Sequence, residues 1–501
     1  MATTTLQKAP TRASSRAAAS PNKRWWILAV LGIAQLMVVL DATVVTIALP
    51  TAQIDLGFSD NSRQWIVTAY ALAFGSLLLI GGRIADVLGR KWVFIVGLVG
   101  FAVASAIGGA AVNVSMLIGA RAVQGLFAAL LAPAILSLLT TTFTEPLERA
   151  KAFGIFGAIA GAGASIGLLL GGFLTEYANW RWTMYVNLVF AAIALVGGYL
   201  LLEHSRAAHR ARLDLPGTVV VSGGLFALVY GFSHADTDGW ANGVTVGLLV
   251  AAGVLLTLFV TMQQRAKNPL LPLRVVLDRN RGGALLAMFA AAAGMFAVFL
   301  FLTYYLQASL GYSAVMSGVA FLPLTGVLVV VSAVASTQLV PRVSAKVLIP
   351  AGMAVSAVAM YLLTDVGLTT GYASHVLPAL LLLGAGLGLV FATAFGMATL
   401  GVDPSDSGVA SAAVNTMQQV GGSVGTALLN TIASTAAATY ATSHLAGGNP
   451  KLVLANAAIH SYSVSFWWAA GIFALGAVLT AIVLRPGVPQ YSDEAAGGVV
   501  L

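Results

Sequence analysis

Long apolar runs separated by short polar joints recur from residue 25 to residue 484. A helix needs about 20 apolar residues to cross a bilayer, and fourteen stretches meet that length. The first six are approximately 25–49, 64–82, 92–112, 116–140, 152–175 and 182–202. Two more follow at 215–233 and 243–263, and a last six at 283–307, 315–337, 345–364, 376–399, 409–433 and 463–484. The pattern predicts an all-α polytopic membrane protein. Residues 1–24 are polar and rich in Ala, Ser, Thr and basic residues, the composition of a disordered tail, and 485–501 form a second tail. The run starting at Trp25 is too long for the core of a signal peptide and reads as an uncleaved first helix.

An even number of spans puts both termini on one side, and the basic residues say which. With the N-terminus inside, all but four of the 25 Lys and Arg fall in cytoplasmic segments, among them Arg83, Arg90, Lys91, Arg210, Arg212, Arg265, Lys267, Arg274, Arg279, Arg281, Arg342 and Lys346. Only Arg63, Arg181 and Lys451 fall outside. That is the positive-inside bias of a cell-membrane protein with both termini cytoplasmic. It explains the net charge of +8 without nucleic acid as a partner. Composition agrees: 59% of residues are hydrophobic and 8% charged, against about a quarter charged in soluble proteins. With no cysteine, disulfides, thiolate metal sites and cysteine nucleophiles are excluded. None of the six histidines forms a helical metal pair. No glycine loop with lysine of the nucleotide-binding kind is present, which argues against ATP as the energy source. No catalytic residue, metal or cofactor is expected.

An internal repeat points to a two-bundle design. "LGFS" at 56–59 precedes the second span and "LGYS" at 310–313 the tenth. Some thirty residues later come basic turns, Arg90-Lys91 and Arg342 with Lys346, then Gly97 and Gly352 at nearly equal spacing. The expected units are an N-terminal six-helix bundle at 25–203, an inserted helix pair at 214–263 and a C-terminal six-helix bundle at 283–484. Repeats with a midplane site between them are typical of secondary transporters.

By this assignment two charges lie well inside spans. Asp41 stands in "LMVVLDATVVTIALP", nine residues before Pro50, and Arg121 about five residues into the fourth span. Both are roughly 8–14 Å from the outer end at 1.5 Å per residue. An unpaired charge at such depth costs at least a few kcal/mol, so an ion pair between them, direct or through water, is the simplest account. It has two readings: a static pair fixing the first helix to the fourth, or a proton site. Burial favours a protonated carboxyl and a neighbouring arginine an ionised one, so a motion that changes their separation would load and release a proton.

The stretch "GGRIADVLGRKW" at 81–92 sets Gly82, Asp86, Gly89, Arg90 and Lys91 in the pattern G-x-x-x-D-x-x-G-R-K. It reads as a loop after the second helix and resembles the signature loop of the major facilitator superfamily. "LIGARAVQGLFAALLAP" at 117–133 resembles that family's helix 4 motif, with Arg121, Gln124 and Gly125 in place. "GAIAGAGASIGLLLGGFL" at 157–174 resembles the glycine-rich helix 5 motif of its antiporters, through Gly157, Gly161, Gly163, Gly167, Gly171 and Gly172. Those antiporters usually carry proline after the glycine matched by Gly167, and here it is Leu168. "LDATVVTIALP", "WRWTMYVN" at 180–187, the inserted pair and "NPLLPLRVVLDRNR" all resemble the fourteen-helix drug:proton antiporters. The resemblance covers about residues 25–485. It implies proton-driven export, by alternating access, of lipophilic compounds, often cationic or antibiotic-like. It also implies a latch role for Gly82, Asp86, Gly89, Arg90 and Lys91, and a protein working as a monomer.

Polar residues of the thirteenth span add substrate candidates. Asn415, Gln418 and Gly422 share one face, with Gln419 adjacent. Such a face should look into the protein or a cavity, for helix–helix bonding or ligand contact. Gln35, Gln124 and the ninth-span aromatics Phe296 and Phe299 complete the set. Tyr304 and Tyr305, near the outer end, read as interfacial belt residues. The leading function is a proton-coupled drug or antibiotic exporter. The alternatives are an exporter or flippase of an endogenous lipid or metabolite, a non-transporting receptor and a membrane-embedded enzyme.

Overall fold

The computed structural model describes residues 21–58, 60–203, 214–266, 269–403, 406–444 and 449–487. Tail residues 1–20 and 488–501, and the basic residues Arg210, Arg212 and Lys267, lie outside the described residues, as does the side chain of Arg63. All regular structure among the described residues is helical. The first eight helices are α1 (Pro21–Leu56), α2 (Asp60–Leu88), α3 (Arg90–Gly109), α4 (Val114–Thr142), α5 (Pro146–Tyr177), α6 (Trp182–Leu201), α7 (Leu215–Asp238) and α8 (Gly243–Arg265). After a short helix, Leu273–Leu277, come α9 (Arg279–Ser309), α10 (Val315–Leu339), α11 (Ala345–Asp365) and α12 (Tyr372–Thr399). The last two are α13 (Ser407–His444) and α14 (Pro450–Val483). Thirteen of the fourteen are both long and apolar enough to cross a membrane, and α13 is the exception by composition. Its Asn, Gln, Ser and Thr residues lower its mean hydropathy although its length suffices.

Several boundaries differ from the sequence reading, each for a local reason. Residues 21–24, expected in the tail, form the first turn of α1, where Lys23 pairs with Glu203 at 2.7 Å and Arg24 with Glu148 at 2.7 Å. The expected loop at 82–91 is mostly helix. α2 runs to Leu88, so Gly82 and Asp86 are helical, and a single residue turns the chain: Gly89, at φ +95°. That left-handed conformation is open to glycine and costly for other residues. α13 continues 11 residues past the expected end at 433, and α14 begins 13 residues before 463. The α13 extension is rich in Ala, Ser and Thr, and the α14 extension carries Lys451, Asn456 and His460 among its apolar residues, so both hold a helix without the uninterrupted hydropathy of a span.

Two six-helix bundles, α1–α6 and α9–α14, face one another. The repeat noted in the sequence has a structural counterpart. Gly57 and Gly311 occupy the same turn with φ +65° and +70°. A Cβ on Gly97 would sit 3.3 Å from Leu131 of α4, and one on Gly352 would sit 2.6 Å from the Gly386 carbonyl of α12. Like helix pairs therefore pack through like glycines. α5 is the shared strut, packed on α1 within its own bundle and on α10 and α12 of the other. The inserted helix α7 lies against both α2 and α13, while α8 packs chiefly on α7.

In α9 the winding loosens into π-helix at Val298–Leu302 and Tyr305–Ser309. This corrects the belt reading of Tyr305. It is fully buried, and its hydroxyl donates to the Thr370 carbonyl at 3.0 Å and meets Thr370 Oγ1 at 2.6 Å. Tyr304 is half-exposed. A π turn holds an extra residue, so side-chain directions past Val298 no longer follow the 3.6-residue period assumed from the sequence.

Candidate functional site

Five helices of the first bundle supply the cluster around Asp41. The carboxylate is 0% exposed and Arg121 is 2% exposed. Arg121 Nη1 donates to Asp41 Oδ2 at 2.5 Å, so the two opposite charges form a direct ion pair linking α1 to α4. Asp41 Oδ1 accepts from Asn187 Nδ2 of α6 at 2.7 Å and from Gln124 Nε2 of α4 at 3.1 Å. Gln124 also accepts from Arg121 at 2.9 Å and donates to Ser105 Oγ of α3 at 2.7 Å. The guanidinium lies over the ring of Tyr70 in α2, 4.3 Å from its centroid. Both carboxylate oxygens are thus engaged, and a proton added to Asp41 would turn the charge-assisted bond from Arg121 into a weaker one.

Beside this cluster, between the bundles, is a cavity of about 460 Å³, within the size range of small-molecule sites. Arg121 reaches its wall, whereas Asp41 stands behind the guanidinium and does not line it. The walls are largely apolar, with Phe74, Phe299 and Phe391 supplying rings and α13 supplying Asn415, Gln418 and Gln419. Gln35 and Leu168 also line it. Gln124, grouped with the substrate candidates from sequence, is fully buried in the charge cluster instead. The side chain of Phe296 lies outside the described residues. Ala42 and Thr46 of α1 and Val67 of α2, toward the ends of those helices away from the basic turns, are exposed. The cavity therefore opens on the face opposite Arg83, Arg90 and Lys91.

On the basic face the bundles are joined. Asp86 Oδ1 accepts from the Gly408 amide at 3.1 Å, at the first turn of α13, and lies 3.5 Å from Arg90. A carboxylate at a helix N-terminus gains from the helix dipole. Arg90 donates to Ser407 Oγ at 2.6 Å, and Ser407 Oγ lies 2.9 Å from Ser137 Oγ. Arg149 of α5 donates to the Thr399 carbonyl at 3.0 Å. Gly82 permits the crossing, since a Cβ there would lie 2.5 Å from the Gly408 carbonyl oxygen. Lys91 serves the first bundle alone, donating to the carbonyls of Tyr199 and Leu202 at the end of α6 at 2.8 and 2.5 Å.

The α5 glycines face two ways. Cβ atoms on Gly163, Gly167 and Gly171 would meet Val39, Thr43 and Val44 of α1, and one on Gly157 would meet Phe391 of α12. The motif lets α5 touch both bundles beside the cavity; Gly172 lies on the same helix. Ser105, Asn187 and Tyr70 belong to the charge cluster but were not singled out from sequence. Asn187 carried a usable signal, an amide inside an apolar run, whereas Ser105 and Tyr70 carried none.

Two six-helix bundles around an interior cavity, joined on one face and open on the other, make a polytopic transporter architecture. The chain belongs to the Major Facilitator Superfamily, whose profile matches residues 31–426. It is 48% identical over 480 residues to the puromycin resistance protein pur8 of Streptomyces alboniger, covering 95% of this chain and 94% of that one. It is 40% identical over 403 residues to the cephamycin export protein CmcT of Amycolatopsis lactamdurans, covering 80% and 83%. The crystal structure of the human organic anion transporter MFSD10 (TETRAN) matches with a TM-score of 0.63 at 15% identity, covering 91% of this chain and 99% of that one. At that identity the likeness concerns the fold alone.

Proposed function

We propose that this protein is a proton-coupled exporter of lipophilic, antibiotic-like compounds in the cell membrane, working as a monomer with its basic face and both termini cytoplasmic. The observation that carries this is the buried Asp41–Arg121 pair standing at the wall of a cavity open on the opposite face. The names of the relatives, resistance and export proteins for antibiotics, support the substrate class. In this reading the conformation is outward-open. A proton reaching Asp41 releases Arg121, the pair loosens α1 from α4, and the return to the inward state carries the proton to the cytoplasm. The contacts among Asp86, Arg90, Ser407 and Gly408 act as the cytoplasmic latch that must part in that state.

The latch and the cavity should separate in a transport panel. Asp86→Asn keeps the side-chain size but weakens the hold on the α13 N-terminus. A shift of about 1.4 kcal/mol in the inward–outward balance changes the ratio tenfold. Rates for chemically different substrates should fall by similar factors, because Asp86 does not line the cavity. Gln418→Ala and Phe299→Ala should instead change the rank order of substrates. Expression-corrected rates on all three variants decide it. Substrate-selective loss in Asp86→Asn with uniform loss in the other two would reverse the assignment of latch and pocket.

A further inference from the structure

We infer that the cavity selects uncharged or anionic lipophilic compounds and discriminates against lipophilic cations; this deepens the export reading and rests on it. Among the described residues lining the cavity, Arg121 is the only charged one. Its counter-ion, Asp41, is wholly buried behind it, so the ion pair turns its positive end toward the ligand space. The remaining polar wall groups are neutral, chiefly Gln35, Asn415, Gln418 and Gln419. A cation entering this space loses water, meets no carboxylate and faces a like charge across a medium of low dielectric constant.

The aromatic wall does not compensate. A face of the Tyr70 ring already lies under the Arg121 guanidinium, and a cation–π contact with a phenylalanine does not replace a carboxylate. The phenylalanines offer mainly apolar area, which any lipophilic scaffold can use. A ligand acceptor, by contrast, finds donors in the wall: the amide groups of α1 and α13 and the guanidinium. Protonation of Asp41 would leave the Arg121 charge uncompensated and strengthen the exclusion of cations.

The test uses three aryl compounds of similar bulk and different charge: tetraphenylphosphonium, triphenylphosphine oxide and tetraphenylborate. Binding to the purified full-length protein in detergent is measured by calorimetry, alongside Gly422→Trp. Gly422 lines the cavity with open space where a Cβ would stand, so a large side chain there fills the site. The expected result is binding of the oxide and the borate that Gly422→Trp removes, with the phosphonium weaker by about tenfold or more. Gln418→Glu, which adds an acid to the wall, should strengthen phosphonium binding by about tenfold. Phosphonium binding equal to or tighter than the other two, and lost in Gly422→Trp, would overturn the charge selection while leaving the export reading standing. If Gly422→Trp leaves the binding of all three unchanged, the cavity is not the binding site, and both readings fail together.

Discussion

Asp41→Asn should abolish transport driven by a proton gradient while leaving the protein folded and inserted. Asparagine removes the titrating group but keeps the size of the side chain and one acceptor oxygen. Arg121 can still donate to it, whereas the new amide nitrogen faces two donors, Gln124 and Asn187, that both lose this acceptor. Hydrogen bonds to a charged group contribute about 1.5–3 kcal/mol and neutral ones about 0.5–1.5, and Arg121 loses its counter-ion, so a loss of up to about 3 kcal/mol is expected, at the low end for a broken buried pair because Arg121 keeps an acceptor and reaches the cavity. That is too little to unfold a large helical bundle. Substrate exchange without a gradient should persist, because the variant can still bind substrate and reorient. Undiminished gradient-driven uptake in proteoliposomes, at matched protein content, would sink the proton role of Asp41.

Arg121→Ala should be the more damaging change to the fold. Asp41 would keep its contacts with Gln124 and Asn187 but lose the only counter-ion within salt-bridge distance among the described residues, in a site with no exposure. Breaking a buried pair from one side costs about 3–5 kcal/mol. The guanidinium also leaves the Tyr70 ring, a contact contributing up to about 2 kcal/mol when desolvated. The double variant Asp41→Asn with Arg121→Ala should recover part of the yield and thermal stability but none of the gradient-driven transport. The readout is the thermal midpoint of the purified protein together with the monodisperse fraction. If the two single effects simply add, the residues are not energetically coupled, and the 2.5 Å contact between them has no energetic weight.

Much of this was legible in the sequence because membrane segments announce themselves by composition. Asp41 and Arg121 stood out as charges inside apolar runs, and pairing them needed only a count of residues from the outer end. The helical overhangs of α13 and α14 did not stand out: the first is rich in Ala, Ser and Thr and the second is interrupted by Lys451, Asn456 and His460, so neither reads as part of an apolar span. Gly89 hid the continuity of α2, because its neighbours read as a turn although one left-handed residue makes it. Gln124 shows a further limit. Where a helix is apolar on every side, its sequence does not say which face meets the cavity and which meets a neighbouring helix. The face of α13 that carries Asn415, Gln418 and Gly422 was readable for the opposite reason, since its polar residues break the apolar background and all three line the cavity. Tyr305 was misread because its place near the outer end suggested an interfacial ring, and nothing in the sequence marks the Thr370 contact that holds it buried.

The exchange of protons for substrate is the central claim, and lumenal pH measures it directly. Purified protein is reconstituted into vesicles holding a pH-sensitive dye, without an imposed pH gradient, and one compound against which the protein protects growing cells is added outside. Antiport predicts that inward movement of the compound drives protons out, so the lumen of wild-type vesicles turns alkaline. Vesicles carrying Asp41→Asn should show no such change. Compound uptake by the wild type with no movement of lumenal pH, or with acidification, would contradict the account.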